Sequence, residues 1–238
     1  MKKAFTLIEL VFVMVVLGIL TFALWPKKQP TQAFEAARQI VAHIRYTQHL
    51  ALNDDKFATH TYGTGDSIAK DWYKRLWRIT FSNTEVVEGC RNGGWRYAVY
   101  QNIAGDLSDR GQPNGTVEAA SNPAQAGKVL SACYSGLSTN TSDELNLGQT
   151  YKIETIDFSQ FTAGGRIQGI IFDELGRAYP NGQWTTPYDN GRAFRFSEGD
   201  SSYGRIILRA KDGSTANILV FGETGYACVE NVDPGCNP

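Results

Sequence analysis

The sequence has little of what catalytic and metal sites are usually built from. Its 238 residues hold three histidines and four cysteines. His43, His49 and His60 have no cysteine or carboxylate at ligand spacing, so solvated or capping roles outweigh metal binding. No C-x-x-C occurs, which argues against zinc. No G-x-S-x-G, H-E-x-x-H or phosphate-binding loop occurs either. Asp106 with Asp109, and Asp189-Asn190-Gly191, offer oxygens to a calcium ion but do not match the EF-hand pattern, and turn chemistry explains both. Charge of either sign is not in excess: the formal net charge is −1, which does not suit a whole-domain nucleic-acid binder. No internal repeat is present. No catalytic residue, cofactor or enzymatic activity is expected.

One apolar run stands out against this background. From Phe5 to Trp25 the only ionisable residue is Glu9. Twenty-one helical residues rise roughly 32 Å at about 1.5 Å each, enough to cross a hydrocarbon core of about 30 Å. An acid at the centre of such a span costs on the order of 2.5–3.5 kcal/mol, less near an end. Lys2 and Lys3 hold the N-terminus on the cytoplasmic side. A cut between Ala4 and Phe5 creates a cationic amine one helical turn from Glu9, able to pair with that carboxylate or with the Glu9 of a neighbouring helix. An ordinary secretory signal has an apolar core of about 7–15 residues and an A-x-A-like exit; this run is longer and lacks that exit. A plain single-pass anchor leaves Glu9 unexplained. Gly18 and Pro26 weaken the helix near its exit, Pro26 and Pro30 end the span, and Trp25, Lys27 and Lys28 suit a membrane interface.

The basic leader, small residue and FTLIEL followed by a long apolar helix resemble the class III signal of type IV pilins and type II secretion pseudopilins. The resemblance covers about the first tenth of the chain. It implies that prepilin peptidase cuts between Ala4 and Phe5, that Phe5 is N-methylated, and that Glu9 is the glutamate of filament assembly. The departure is Ala4, where the family normally has glycine.

From Thr31, a candidate N-cap, the helical period resumes. Phe34, Ala37, Val41, Ile44 and Ala51 form a stripe widened by Ile40 and Leu52, opposite Glu35, Arg38, Gln39, Arg45 and His49. Beyond about Asn53 that period disappears. Leu76–Ser82, Trp95–Gln101, Lys152–Phe158, Ile167–Asp173, Arg205–Lys211 and Asn217–Phe221 read as strands, with a hairpin turning at Asp212-Gly213-Ser214. Residues 104–149 are polar and poor in large apolar side chains, so they read as a long surface insertion. Four cysteines on the outer side of a membrane suggest two disulfides with three pairings open; Cys228–Cys236 is favoured as a local loop, leaving Cys90–Cys133.

The body adds a second resemblance. Ile40–Leu52, Trp77–Phe81, the run Ile170-Ile171-Phe172-Asp173-Glu174-Leu175-Gly176-Arg177, and Ile218–Tyr226 are similar in order and spacing to GspH-like pseudopilins and FimT-like minor pilins. The DNA-binding members carry basic residues after the final glycine, where this chain has Tyr226-Ala227-Cys228-Val229-Glu230. Its best basic and aromatic cluster, Lys74, Arg75, Trp77 and Arg78, suits single-stranded nucleic acid by stacking and phosphate contact. Ordinary outward side chains of a strand explain it equally and are the favoured reading.

These observations predict an α+β, pilin-like fold: a long N-terminal helix, membrane-spanning then amphipathic, packed on an antiparallel sheet. The expected organisation is a leader at 1–4, a helix at 5–53 with its membrane segment at 5–25, and a periplasmic β-rich domain at 54–238. By resemblance the chain is a structural subunit of a secretion pseudopilus or type IV pilus in the inner membrane; the alternative is a minor pilin acting as a DNA-binding or adhesive receptor. Expected partners are other pilin-like subunits, prepilin peptidase, the inner-membrane assembly platform and membrane lipid, with nucleic acid not expected.

Overall fold

Thr6 opens the first helix, its carbonyl accepting from the backbone N–H of Glu9 at 3.1 Å and of Leu10 at 3.2 Å. This helix, α1, spans Leu7–Ala23 in the computed structural model, which describes residues 6–23, 31–54, 75–83, 94–101, 113, 118–132, 140–158, 168–180 and 203–237. The chain divides into Met1–Pro30 and Thr31–Pro238, and each unit is described by itself. Seventeen helical residues rise about 26 Å. Among the described residues no helix is long and apolar enough to cross a membrane. Phe5, Leu24 and Trp25, which the apolar run adds at its two ends, lie outside the described residues, as do Pro26, Lys27, Lys28 and Pro30.

In the second unit, α2 runs Gln32–Leu52. Thr31 stands at its N-cap in extended conformation without a side-chain capping bond. Its buried stripe is Ala33, Ala36, Ala37, Ile40, Val41, Ile44, Thr47 and Ala51. This departs from the expected stripe at both ends: Phe34 is half-buried and Leu52 exposed. Ala33, Ala36 and Ala37 are fully buried at the start of the helix, while Phe34 packs at the margin of the core under the Arg38 guanidinium, 4.8 Å from its ring centre.

Two antiparallel four-stranded sheets meet α2, giving the expected α+β arrangement of a helix on an antiparallel β-sheet domain. The first has the order β2-β1-β4-β5, built from β1 (Trp77–Ser82), β2 (Arg96–Gln101), β4 (Gln168–Phe172) and β5 (Ala178–Pro180). The second has the order β3-β6-β7-β8, from β3 (Ile153–Asp157), β6 (Tyr203–Ala210), β7 (Thr215–Phe221) and β8 (Ala227–Val229). The helix packs against β1 and β4 of one sheet and β6, β7 and β8 of the other. Ile40, Ile44, Ile79, Val99, Phe172, Ile206, Leu208 and Ile218 are fully buried in the shared core. Burial of each such side chain contributes about 1.5–3 kcal/mol relative to exposure. Opposite that core, Leu219, Cys228 and Cys236 form a smaller cluster with Tyr203 and Phe221.

The described part of residues 104–149 is not a surface insertion. Residues 118–132 return to the edge of β2, where Gln101 N donates to Glu118 O, Ala120 N to Val99 O, and Val99 N to Leu130 O, each at 2.8–2.9 Å. Leu130, Leu145 and Leu147 are fully buried in the main core. Polar composition hid this docking because backbone bonds and three leucines carry it.

Candidate functional site

The N-terminal helix is apolar on every side. All its described side chains from Leu7 to Thr21 are exposed, from Leu7 at 82% to Val16 at 37%. An isolated helix with no polar face has no stable arrangement in water, so it requires lipid or other protein as its surroundings. Glu9 is its one charged residue, in the first turn, with the Thr6 hydroxyl 3.4 Å from Glu9 Oε2. That contact is at the limit of hydrogen bonding and leaves the second carboxylate oxygen open to another donor. Ala4 and Phe5 lie outside the described residues.

At the other end of the chain a disulfide joins Cys228 and Cys236, with sulfurs 2.00 Å and α-carbons 6.0 Å apart. Beyond the packing of β8 on α2, Arg45 ties α2 to this loop and its flank by polar contacts. Arg45 donates from Nε to Ala227 O at 3.0 Å, lies 3.9 Å from Asp233 Oδ2, and covers the Tyr226 ring at 5.2 Å. Asp233 accepts from Val229 N at 2.8 Å, holding the loop against β8. Cys90 and Cys133 lie outside the described residues.

The cluster considered for nucleic acid is differently disposed from expectation. Trp77 packs against the main core. Arg78, expected on an exposed outer face, is 7% exposed and lies 5.8 Å from the centre of the Tyr100 ring. Alternation along β1 does place these two on opposite faces, but both faces are covered there. Arg75 is half-buried, and Lys74 lies outside the described residues. The described members therefore present no aromatic platform to a base. Asp106, Asp109, His60 and Asp189-Asn190-Gly191 also lie outside the described residues, and among those described no three metal-ligating side chains converge.

Sequence reasoning missed a polar network under α2. Gln39 Nε2 donates to Tyr97 Oη at 2.8 Å and to Glu144 O at 2.9 Å, while Tyr151 donates its hydroxyl to Gln39 Oε1. His43 Nδ1 lies 2.7 Å from Tyr97 Oη. Burial lowers the pKa of His43, opposed in part by the Glu144 carboxylate. Burial raises the phenols of Tyr97 and Tyr151 above the ordinary tyrosine value. A second missed cluster is Asp173, fully buried at the end of β4. It accepts from Leu175 N, Arg177 N and Nε, and Tyr179 Oη at 2.6–3.0 Å.

Residues 1–25 match the model of the prokaryotic N-terminal methylation motif. The chain thus carries that motif over its first 25 residues, and its N-terminal helices and antiparallel sheets are consistent with the expected pilin-like α+β fold. Such a motif implies processing by prepilin peptidase, anchoring in the inner membrane, and assembly with other pilin-like subunits. No curated protein and no solved structure matches the chain.

Proposed function

We propose that this chain is a minor pseudopilin or minor pilin, a non-enzymatic subunit that joins a type II secretion pseudopilus or type IV pilus through its N-terminal helix. Prepilin peptidase removes Met1–Ala4, and Phe5 becomes the methylated N-terminus. Residues 5–25 cross the inner membrane, with the β-rich unit in the periplasm. Glu9 then pairs with the Phe5 amine of a neighbouring subunit. The observation that carries this reading is a helix apolar on all sides whose one carboxylate sits in its first turn. An acid there is costly in lipid unless a cation meets it, and the new amine is the cation that cleavage supplies. The order of Ile40–Leu52, Trp77–Phe81, Ile170–Arg177 and Ile218–Tyr226 supports a GspH-like or FimT-like subunit. A second disulfide, Cys90–Cys133, is proposed beside Cys228–Cys236.

Intact-mass measurement on membrane-extracted protein tests the reading. The expected species lacks Met1–Ala4 and carries one extra methyl group on Phe5. A full-length chain in cells with active prepilin peptidase overturns it.

A further inference from the structure

The network under α2 has only one consistent arrangement of its protons. Glu144 O is a backbone carbonyl and can only accept, so the group of Gln39 that faces it at 2.9 Å is the amide nitrogen. The same nitrogen donates to Tyr97 Oη at 2.8 Å, and the amide oxygen is left to accept from Tyr151. The Tyr97 hydroxyl is therefore an acceptor from Gln39, and its own proton needs a different acceptor. His43 Nδ1, at 2.7 Å, is the group in place for it. Tyr97 is fully buried, so a proton left without a partner there is strongly disfavoured.

We propose that Tyr97 and His43 form an acid-sensitive latch between α2 and β2: Tyr97 donates to the bare Nδ1 of His43, and a proton on that nitrogen breaks the bond and loosens α2 from β2 and from the segment Asp143–Thr150. With Nδ1–H in place both groups point a proton at each other, unless Tyr97 gives up its donor role and is left unsatisfied. The release reaches Asp143–Thr150 because Gln39, one turn before His43, holds Glu144 O through the same side chain that orients Tyr97.

The groups around the ring fix the direction of the response. From Asp143–Leu145 the Glu144 carboxylate favours protonation, but burial outweighs it and the ring titrates below the ordinary 6.5. From β2 and the segment before β3, Tyr97 and Tyr151 stay protonated because burial raises both. On α2 itself Glu35 lies towards Tyr151. Above pH 6.5 the ring is neutral in folded and unfolded chain alike, and the latch is at full strength. As pH falls below 6.5 the unfolded chain takes up the proton first, so the stabilisation is lost until the folded ring titrates too.

The test uses the full chain in detergent micelles, labelled with ¹⁵N-histidine. At pH 7.5 the His43 spectrum is expected to show the Nε2–H tautomer with Nδ1 bare and hydrogen-bonded, titrating below 6.5. Amide exchange in Asp143–Thr150, corrected for intrinsic pH dependence, is expected to rise up to about tenfold per pH unit between 6.5 and the folded midpoint. Tyr97→Phe should shift the His43 midpoint upward, and His43→Gln, which offers a non-titrating acceptor, should abolish the acid-dependent exchange. An Nδ1–H tautomer at pH 7.5, or a midpoint at or above 6.5, overturns the proposal without reliance on any variant folding. Unchanged exchange across the titration overturns it as well.

Discussion

A β-carbon on Gly225 would lie 2.0 Å from the carbonyl oxygen of Gly176, closer than any non-bonded contact allows. The first glycine lies in the β7–β8 turn and the second in the β4–β5 turn, so this contact brings the two sheets together. Gln48 of α2 stands over it, donating from Nε2 to Gly176 O at 2.8 Å and to Thr224 O at 2.7 Å. Gly225→Ala has to separate the turns and place alanine at a φ of +64°. Overpacking and left-handed strain together cost about 2–4 kcal/mol. Gly213 has a φ of +80° with open space around it, so Gly213→Ala should cost only about 1 kcal/mol. Thermal unfolding of the two variants separates packing from conformation, and equal losses would refute the close-packing account.

The buried carboxylate of Asp173 organises the β4–β5 turn on which that contact depends. Its partner Arg177 Nε lies at 2.6 Å, with a side chain about one-third exposed, so part of the pairing is screened by solvent. Asp173→Ala removes the buried carboxylate to which the Tyr179 hydroxyl and two backbone N–H groups donate and is expected to cost about 2–4 kcal/mol. Asp173→Asn preserves the shape and one acceptor oxygen and should cost less. Denaturant midpoints at constant slope provide the check; a loss below about 0.5 kcal/mol for the alanine variant would remove the organising role.

What was legible in the sequence follows from the range over which each signal acts. The stripe Ile40, Val41, Ile44 and Ala51 repeats within one helix, and the period alone places it. Six strands were bounded by glycine, asparagine and proline and emerge within two residues of the expected limits. Strands β5 and β8 have three residues each, too few for a period, and exist because β4 and β7 offer edges to pair with. Division into two sheets depends on which edges meet, which no local pattern encodes. The contact of His43 with Tyr97 joins positions 54 residues apart, and nothing near either marks it. Glu9 is the opposite case: an acid within an apolar run is conspicuous without any fold at all.

The closure of Cys228 and Cys236 around nine residues is worth about 2.5 kcal/mol in the chain-entropy model. Both sulfurs are fully buried beside Leu219, so reduction should be slow in the folded protein. Replacing both cysteines by alanine is expected to lower stability by about 2–3 kcal/mol. Hydrogen exchange should increase first in β8 and the C-terminal loop, where Arg45 would remain as a polar tie to α2. Arg45→Ala alone should loosen the same segment to a smaller degree. Exchange that rises uniformly over β6 and β7 instead would show that the loop is not a separate unit.

The strongest expectation attaches to Glu9. Its one side-chain contact among the described residues is the 3.4 Å approach of Thr6 Oγ1, so Glu9→Ala has almost nothing to lose among them. Removing the acid also makes the apolar helix a better resident of lipid, and the variant should be made, folded and retained in the membrane. Assembly is where the loss should appear. In an apolar surrounding the pairing of a carboxylate with a neighbour's amine is worth several times the 1 kcal/mol or less of an exposed ion pair. Since about 1.4 kcal/mol is a factor of ten, incorporation should fall tenfold or more. The measurement is co-purification with sheared filaments from cells expressing wild-type and variant subunits together, with unfolding of the Thr31–Pro238 unit monitored as the control for fold. Normal incorporation of Glu9→Ala would strip the carboxylate of its role in assembly and leave the methylation motif marking a membrane-tethered domain alone.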